Sequence, residues 1–243
     1  MIPKKIHYCW VGGKTLPADA EACIKSWAEK CPDYALIRWD EQNVSLEDSL
    51  YARQAYEAEK WAFVSDYVRL KALWEQGGIY MDTDVEVLHP LDRFLTSPMF
   101  MGFESRERVA TCIIGAEPKS PFIGTLLETY RTGTFLRTDG SCDCTTNVER
   151  ITEALKKRGL RTDGTLQVVE GITVYPSAVF SPKSLETGRV TLTPETCTIH
   201  HFNASWMTQR QKRHTRIAQI LGPRWAKIAA KVYRSIKGSG ATP

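Results

Sequence analysis

The stretch Gly77-Gly78-Ile79-Tyr80-Met81-Asp82-Thr83-Asp84 constrains the fold of this chain more than any other. A glycine pair stops a helical pattern. A short apolar strand follows, and two carboxylates stand one residue apart at its end. Acids at i and i+2 of an extended chain lie on the same side. Held together they repel, which calls for a positive partner between or beside them. A hard divalent cation that also grips phosphate oxygens suits that place. The competing reading is a solvated turn, because Asp-x-Asp alone is common. The glycines and the strand favour function, since ligand sites in open α/β sheets gather at the carboxyl ends of strands.

The surrounding pattern supports an α/β fold. Residues 5–11 read as a first strand closed by Gly12-Gly13, residues 18–30 as a helix and residues 34–39 as a second strand. This β-α-β opening argues for a parallel sheet. Residues 50–76 read as helix in two pieces. Residues 85–87, 99–103, 111–114, 168–176 and 190–192 are further strand candidates, and residues 122–131 and 147–158 further helices. Residues 133–146 are rich in Gly, Ser, Thr and Asp and read as a polar loop. A length of 243 residues suits one large domain with a small appendage. The boundary falls after Trp206, giving a catalytic domain over 1–206 and a basic segment over 207–243.

No apolar run approaches the ~18 residues of a membrane span. The opening Met1-Ile2-Pro3-Lys4-Lys5 lacks the apolar stretch of a signal peptide, so a cytoplasmic location is expected. The seven cysteines lack paired spacing, and Cys142-x-Cys144 is too tight for a usual zinc half-site. Buried or free thiols are expected rather than a disulfide framework.

The net charge of +4 is unevenly spread. After Glu195 the chain has no acidic residue, while Arg210, Lys212, Arg213, Arg216, Arg224, Lys227, Lys231, Arg234 and Lys237 all fall there. Trp225, Ile228, Val232, Tyr233 and Ile236 interleave with them at helical spacing, which reads as an amphipathic basic helix. Such a helix can lie on an anionic membrane, here the inner face of the cell membrane, or can pack on the domain with a solvated basic face. Nucleic acid is not the expected partner, because the basic residues are confined to this tail.

Three further constellations bear on chemistry. In Ser65-Asp66-Tyr67-Val68-Arg69-Leu70, Asp66 and Arg69 share a largely apolar helix face with Ala62 and Leu73. They form an ordinary helical ion pair, or they serve a ligand, with Arg69 neutralising phosphate and Asp66 accepting from sugar hydroxyls. In Tyr8-Cys9-Trp10-Val11-Gly12-Gly13, an aromatic at a strand end can stack on a flat base while glycines admit the ligand to the backbone. A core Trp beside a turn is the alternative. In His200-His201-Phe202-Asn203-Ala204-Ser205-Trp206, neighbouring strand histidines point to opposite sides, so one of them can complete a metal site at Asp84.

In order and spacing, these segments resemble the GT-A glycosyltransferases that carry a sugar-binding region containing the DXD motif. The nearest group is the family-32-like bacterial capsular and exopolysaccharide enzymes, with yeast mannosyltransferases and glucosylating clostridial toxins more distant. The resemblance runs over about 205 residues, from Ile2-Pro3-Lys4-Lys5-Ile6-His7 to Ser205-Trp206. It implies a Rossmann-like, mostly parallel sheet flanked by helices. It implies that Trp10 stacks on the donor base, with Tyr8, Val11, Gly12 and Tyr80 around the donor. Asp66 and Arg69 become donor-sugar contacts, with Arg69 near the diphosphate. Asp82 touches ribose or sugar and the metal, Asp84 ligates the metal, and His201, with His200 as the alternative, completes it. Trp206 lies over the diphosphate, Ser205 is a further donor contact, and Asn147 is a further sugar contact. The implied cofactor is Mn2+ or Mg2+. The implied reaction moves a hexose, with retention, from UDP-galactose or UDP-glucose to a glycan or lipid-linked glycan. A catalytically idle nucleotide-sugar-binding module and a metal-dependent phosphohydrolase are the rival classes.

Overall fold

The computed structural model describes residues 1–185 and 187–203. Ser205, Trp206 and the basic segment 207–243 lie outside the described residues. No helix among the described residues is long and apolar enough to cross a membrane.

The chain opens with β1 (Lys5–Cys9), α1 (Ala18–Lys30) and β2 (Ala35–Trp39), and β1 pairs with β2 in parallel. The residue 50–76 region divides as expected into α2 (Leu50–Glu57) and α3 (Trp61–Gln76). Ser49 caps α2 by accepting from the Ala52 N–H at 3.1 Å. The α3 helix ends at Gly77, and β3 (Gly78–Met81) returns beside β1. Only glycine serves at position 78: its φ is +107°, and a Cβ would stand 2.8 Å from the Lys5 carbonyl oxygen. The close approach seats β3 against β1.

Next come β4 (Val85–Val87), β5 (Met99–Ser105), the short β6 (Arg108–Val109) and β7 (Ile113–Ala116). The helices α4 (Pro121–Thr132) and α5 (Asn147–Lys156) follow, then β8 (Gln167–Val169), β9 (Ile172–Tyr175), α6 (Ser177–Phe180) and β10 (Thr198–His200). The main sheet runs β2-β1-β3-β7-β5-β9-β8, with β6 on β5, and β10 pairs with β4 apart from it. Because β7 is antiparallel to both β3 and β5, the strands β2, β1, β3, β5 and β9 all point one way. The mostly parallel sheet flanked by helices expected above is thus present.

Two apolar layers hold it. One face buries Val64, Tyr67, Leu70 and Leu73 of α3 against Met101, Ile114 and the α4 side chains Ile123 and Leu127. The other buries Trp27 of α1 against Ile79, Met81, Phe100 and Phe180. The alternation of Met99, Met101 and Phe103 with Phe100 along β5 feeds the two layers in turn.

Some expectations need correction. Residues 168–176 are two strands, because Glu170 and Gly171 take positive φ and turn the chain. Residues 190–192 form no strand, and only Val190 makes an isolated bridge, to Lys183. Within the 133–146 loop, Cys142 and Cys144 are joined as a disulfide. Their Cα atoms stand 5.5 Å apart, a separation that a disulfide spans even at this spacing. The other five cysteines are free and buried, as expected.

Candidate functional site

The carboxyl ends of β1 and β3 open on one edge of the sheet, and the aspartate pair stands there. The Asp82 N–H donates to the Cys112 carbonyl at 2.9 Å, and the Asp82 carbonyl accepts from the Val85 N–H at 3.0 Å. That tight turn brings Asp84 back beside Asp82. Pairing of β10 with β4 sets His200 opposite Val85. His200 Nε2 then lies 3.3 Å from Asp84 Oδ1, and Asp84 Oδ2 accepts from the Asn203 N–H at 2.9 Å.

The two histidines diverge as strand alternation requires. His201 Nε2 meets Glu86 Oε2 at 2.9 Å, away from the pair. His201 is therefore replaced by His200 in the set that could hold a metal. One ligand atom each from Asp82, Asp84 and His200 lie within 4.8 Å of one another. His200 Nδ1 is buried with no hydrogen-bond partner among the described residues. Two carboxylates, an imidazole and an unspent ring nitrogen fit a divalent transition ion.

The electrostatics agree. Burial and the neighbouring Asp84 charge push the Asp82 carboxyl up, while Arg69 opposes them. Burial also works against ionised Asp84, but the hydrogen bond and charge of His200 outweigh it and hold that carboxyl low. For His200, burial disfavours the charged ring, yet the contacts with Cys112 and Asp84 raise its proton affinity well above the ordinary value.

Asp66 and Arg69 approach the edge from α3, on the sheet's opposite face. Arg69 is only 4% exposed. Its Nη2 lies 3.1 Å from Asp66 Oδ1 and 3.2 Å from Asp82 Oδ1, while Nη1 donates to the Thr111 carbonyl. One cation thus joins both acidic motifs. Burial raises the Asp66 carboxyl to about 6 despite Arg69, with Asp82 adding to the rise.

Asn147 also meets Asp66. A capping box between Thr146 and Glu149 fixes the start of α5. This points the Asn147 N–H at Asp66 Oδ2 (3.3 Å), and Nδ2 donates to the Asp66 carbonyl at 3.1 Å. Asn147 Oδ1 accepts from the Tyr130 hydroxyl at 2.9 Å. The amide is 1% exposed, so its place is behind Asp66. Tyr80 is likewise buried and lies under Arg69, 4.7 Å from ring centroid to guanidinium carbon.

At the end of β1, Trp10 is half-buried and its Nε1 donates to the Lys14 carbonyl at 2.7 Å. Val11 is buried, and Tyr8 packs edge-on against Trp27. Gly12 sits at φ +93°, where a Cβ would lie 2.8 Å from Trp61 Cε2. The Gly12 N–H donates to Glu41 Oε1 at 2.5 Å. Trp61 and Glu41 thus wall the Trp10 turn, and sequence reading missed both. Trp61 had a signal, as an aromatic at the start of the helix that carries Asp66. The Thr111 carbonyl had none, because its role comes from strand pairing alone.

Comparison with known proteins bears on this geometry. Residues 17–101 match the family described as glycosyltransferase sugar-binding region containing DXD motif. Subversion of eukaryotic traffic protein A of Legionella pneumophila is 29% identical over 136 residues, covering 42% of this chain and 21% of that protein. Inositol phosphoceramide mannosyltransferase 3 of Schizosaccharomyces pombe is 27% identical over 126 residues, covering 50% of this chain and 35% of that protein. The chain therefore spans about a third or less of the length of these relatives. Among solved structures, a galactosyltransferase, LgtC, in complex with donor and acceptor sugar analogues aligns at TM-score 0.44 and 14% identity, over 89% of this chain and 94% of that one. The PaToxG glycosyltransferase aligns at TM-score 0.44 and 20% identity, over 54% and 62%. The matched segment, residues 17–101, holds Asp66, Arg69, Asp82 and Asp84.

Proposed function

We propose that this chain is a metal-dependent glycosyltransferase that moves a hexose from a nucleotide-diphosphate sugar to a glycan or lipid-linked glycan acceptor, in polysaccharide biosynthesis. The observation that carries the reading is the convergence of Asp82, Asp84 and His200 beside the Arg69–Asp66 pair at the carboxyl edge of the sheet. A divalent ion held by those three residues would supply charge stabilisation for a leaving diphosphate. The imidazole favours manganese over magnesium. UDP-galactose and UDP-glucose are the first donors to test.

The chain's own residues divide the work. Trp10, on the turn walled by Trp61, offers a stacking face for the base, and Gly12 keeps that turn close to the ligand. Asp66, backed by Asn147, accepts from sugar hydroxyls. Arg69 adds fixed positive charge beside the diphosphate. No protein nucleophile is assigned. The anomeric C–O bond to phosphate breaks while the acceptor oxygen bonds on the same face, and the acceptor proton passes to the leaving phosphate oxygen. That route retains configuration. Trp206 is proposed to lie over the diphosphate, Ser205 to be a further donor contact, and residues 207–243 to rest on an anionic membrane that presents the acceptor. Equal liposome flotation with and without residues 207–243 would remove the membrane assignment.

Product analysis with a panel of UDP- and GDP-sugars tests the reading. Transfer of the hexose to a glycan with its anomeric configuration kept is the expected result. Hydrolysis as the sole reaction would favour a phosphohydrolase, and no turnover by folded protein that binds nucleotide would favour an idle binding module.

A further inference from the structure

Glu104 stands at the same edge and has no part in the site described so far. It lies near the end of β5, which runs in the direction of β3 with β7 between them. The register of β5 with β6 shifts between Phe103 and Ser105, so Glu104 is the bulged residue. Bulges near sites re-aim a side chain. Phe100 and Gly102 share one face of β5 with Phe180, since a Cβ on Gly102 would stand 2.7 Å from the Phe180 ring. That face also bears Cys112, a neighbour of His200, and the bulge leaves the Glu104 carboxylate with His200, Arg108 and Asp82 as its charged neighbours.

Its chemistry is unspent. Asp66, Asp82, Asp84 and Glu86 each have an ion-pair partner. Among the described residues, no hydrogen bond or ion pair engages the Glu104 carboxylate. The group is nonetheless only partly exposed. Burial pushes it up, the charges of His200 and Arg108 pull it down, and Asp82 raises it again, which places it within electrostatic reach of the metal cluster.

The layout gives this carboxylate a direction. Trp10 and Gly12 mark the base end at β1, and the aspartate pair marks the diphosphate end at β3. The transferred sugar and its acceptor then extend toward β5. We propose that Glu104 is the acceptor-binding carboxylate of this site, accepting a hydrogen bond from a hydroxyl of a polyhydroxylated glycan next to the one that attacks. This rests on the glycosyltransferase reading above.

The test compares the full chain with Glu104→Gln and Glu104→Asp. Calorimetry with UDP and Mn2+ reads the donor site, and transfer from UDP-glucose or UDP-galactose to a set of p-nitrophenyl hexosides reads the acceptor site. Glu104→Gln is expected to raise acceptor KM roughly tenfold or more. Donor KM and the Kd for UDP should stay within about twofold, and Glu104→Asp should recover part of the loss. An unchanged acceptor KM in Glu104→Gln would overturn the assignment. So would a lost UDP site with acceptor KM intact, which would make Glu104 a donor-side group. Absence of UDP binding in the unaltered chain would overturn the donor-site reading itself, a result separable from either.

Discussion

Replacing Arg69 with Met tests whether one buried cation holds the two acidic motifs together. Met keeps much of the stem volume and removes the guanidinium. The structure shows what is lost: contacts of 3.1 Å to Asp66 and 3.2 Å to Asp82, and a donor to the Thr111 carbonyl. Both carboxylates then remain with their countercharge gone. Breaking a buried pair by removing one partner costs ~3–5 kcal/mol. For a chain of this size that lowers Tm by about 6–20 °C. The pH dependence gives a second signature. Asp66 is raised in the folded state, from 3.8 to about 6, so the folded protein binds more protons and this group's contribution falls as pH rises through that window. Without Arg69 the carboxyl rises further, and the loss extends to higher pH. Thermal unfolding followed by circular dichroism at pH 5.5 and pH 7.5 should show the larger deficit at pH 7.5. Adding Asp66→Asn to Arg69→Met should recover part of it by removing one stranded charge. A Tm within about 2 °C of the unaltered chain at both pH values would refute the account of Arg69 as the shared countercharge.

Three further outcomes follow from the same geometry. Asn147→Ala strands the Tyr130 hydroxyl and the Asp66 carbonyl. A cost of ~1–3 kcal/mol per stranded group is expected in urea unfolding. Gly12→Ala forces a Cβ onto Trp61 at φ +93°, so a loss of ~1–3 kcal/mol together with weakened nucleotide binding is expected from melting and calorimetry. His200→Ala should lower Mn2+ affinity roughly tenfold or more, while His201→Ala, which breaks only the contact to Glu86, should leave it nearly unchanged in a metal titration.

Much of this architecture is legible in the residues. The β-α-β opening, the division of residues 50–76 into two helices and the stop at Gly77-Gly78 follow from local periodicity and from glycine at positive φ. The aspartate pair announces itself by its place after a strand. The histidine pair was half legible. Alternation says that one ring faces the site, but which one depends on the register of β10 against β4, and that pairing joins residues more than a hundred positions apart. Thr111 was missed for the same reason: its carbonyl reaches Arg69 because β7 runs antiparallel beside β3. The turn at Glu170-Gly171 was readable but was absorbed into one long apolar run. The disulfide of Cys142 and Cys144 was not readable, because it depends on how the loop folds back rather than on spacing.

The most direct test of the central claim is calorimetric titration of the full chain with nucleotide diphosphates and their sugars, with and without Mn2+, repeated on Asp84→Ala. The account expects one nucleotide to bind only with the metal, and to lose that binding in the mutant. No binding of any nucleotide by folded protein, or equal binding by Asp84→Ala, would contradict it.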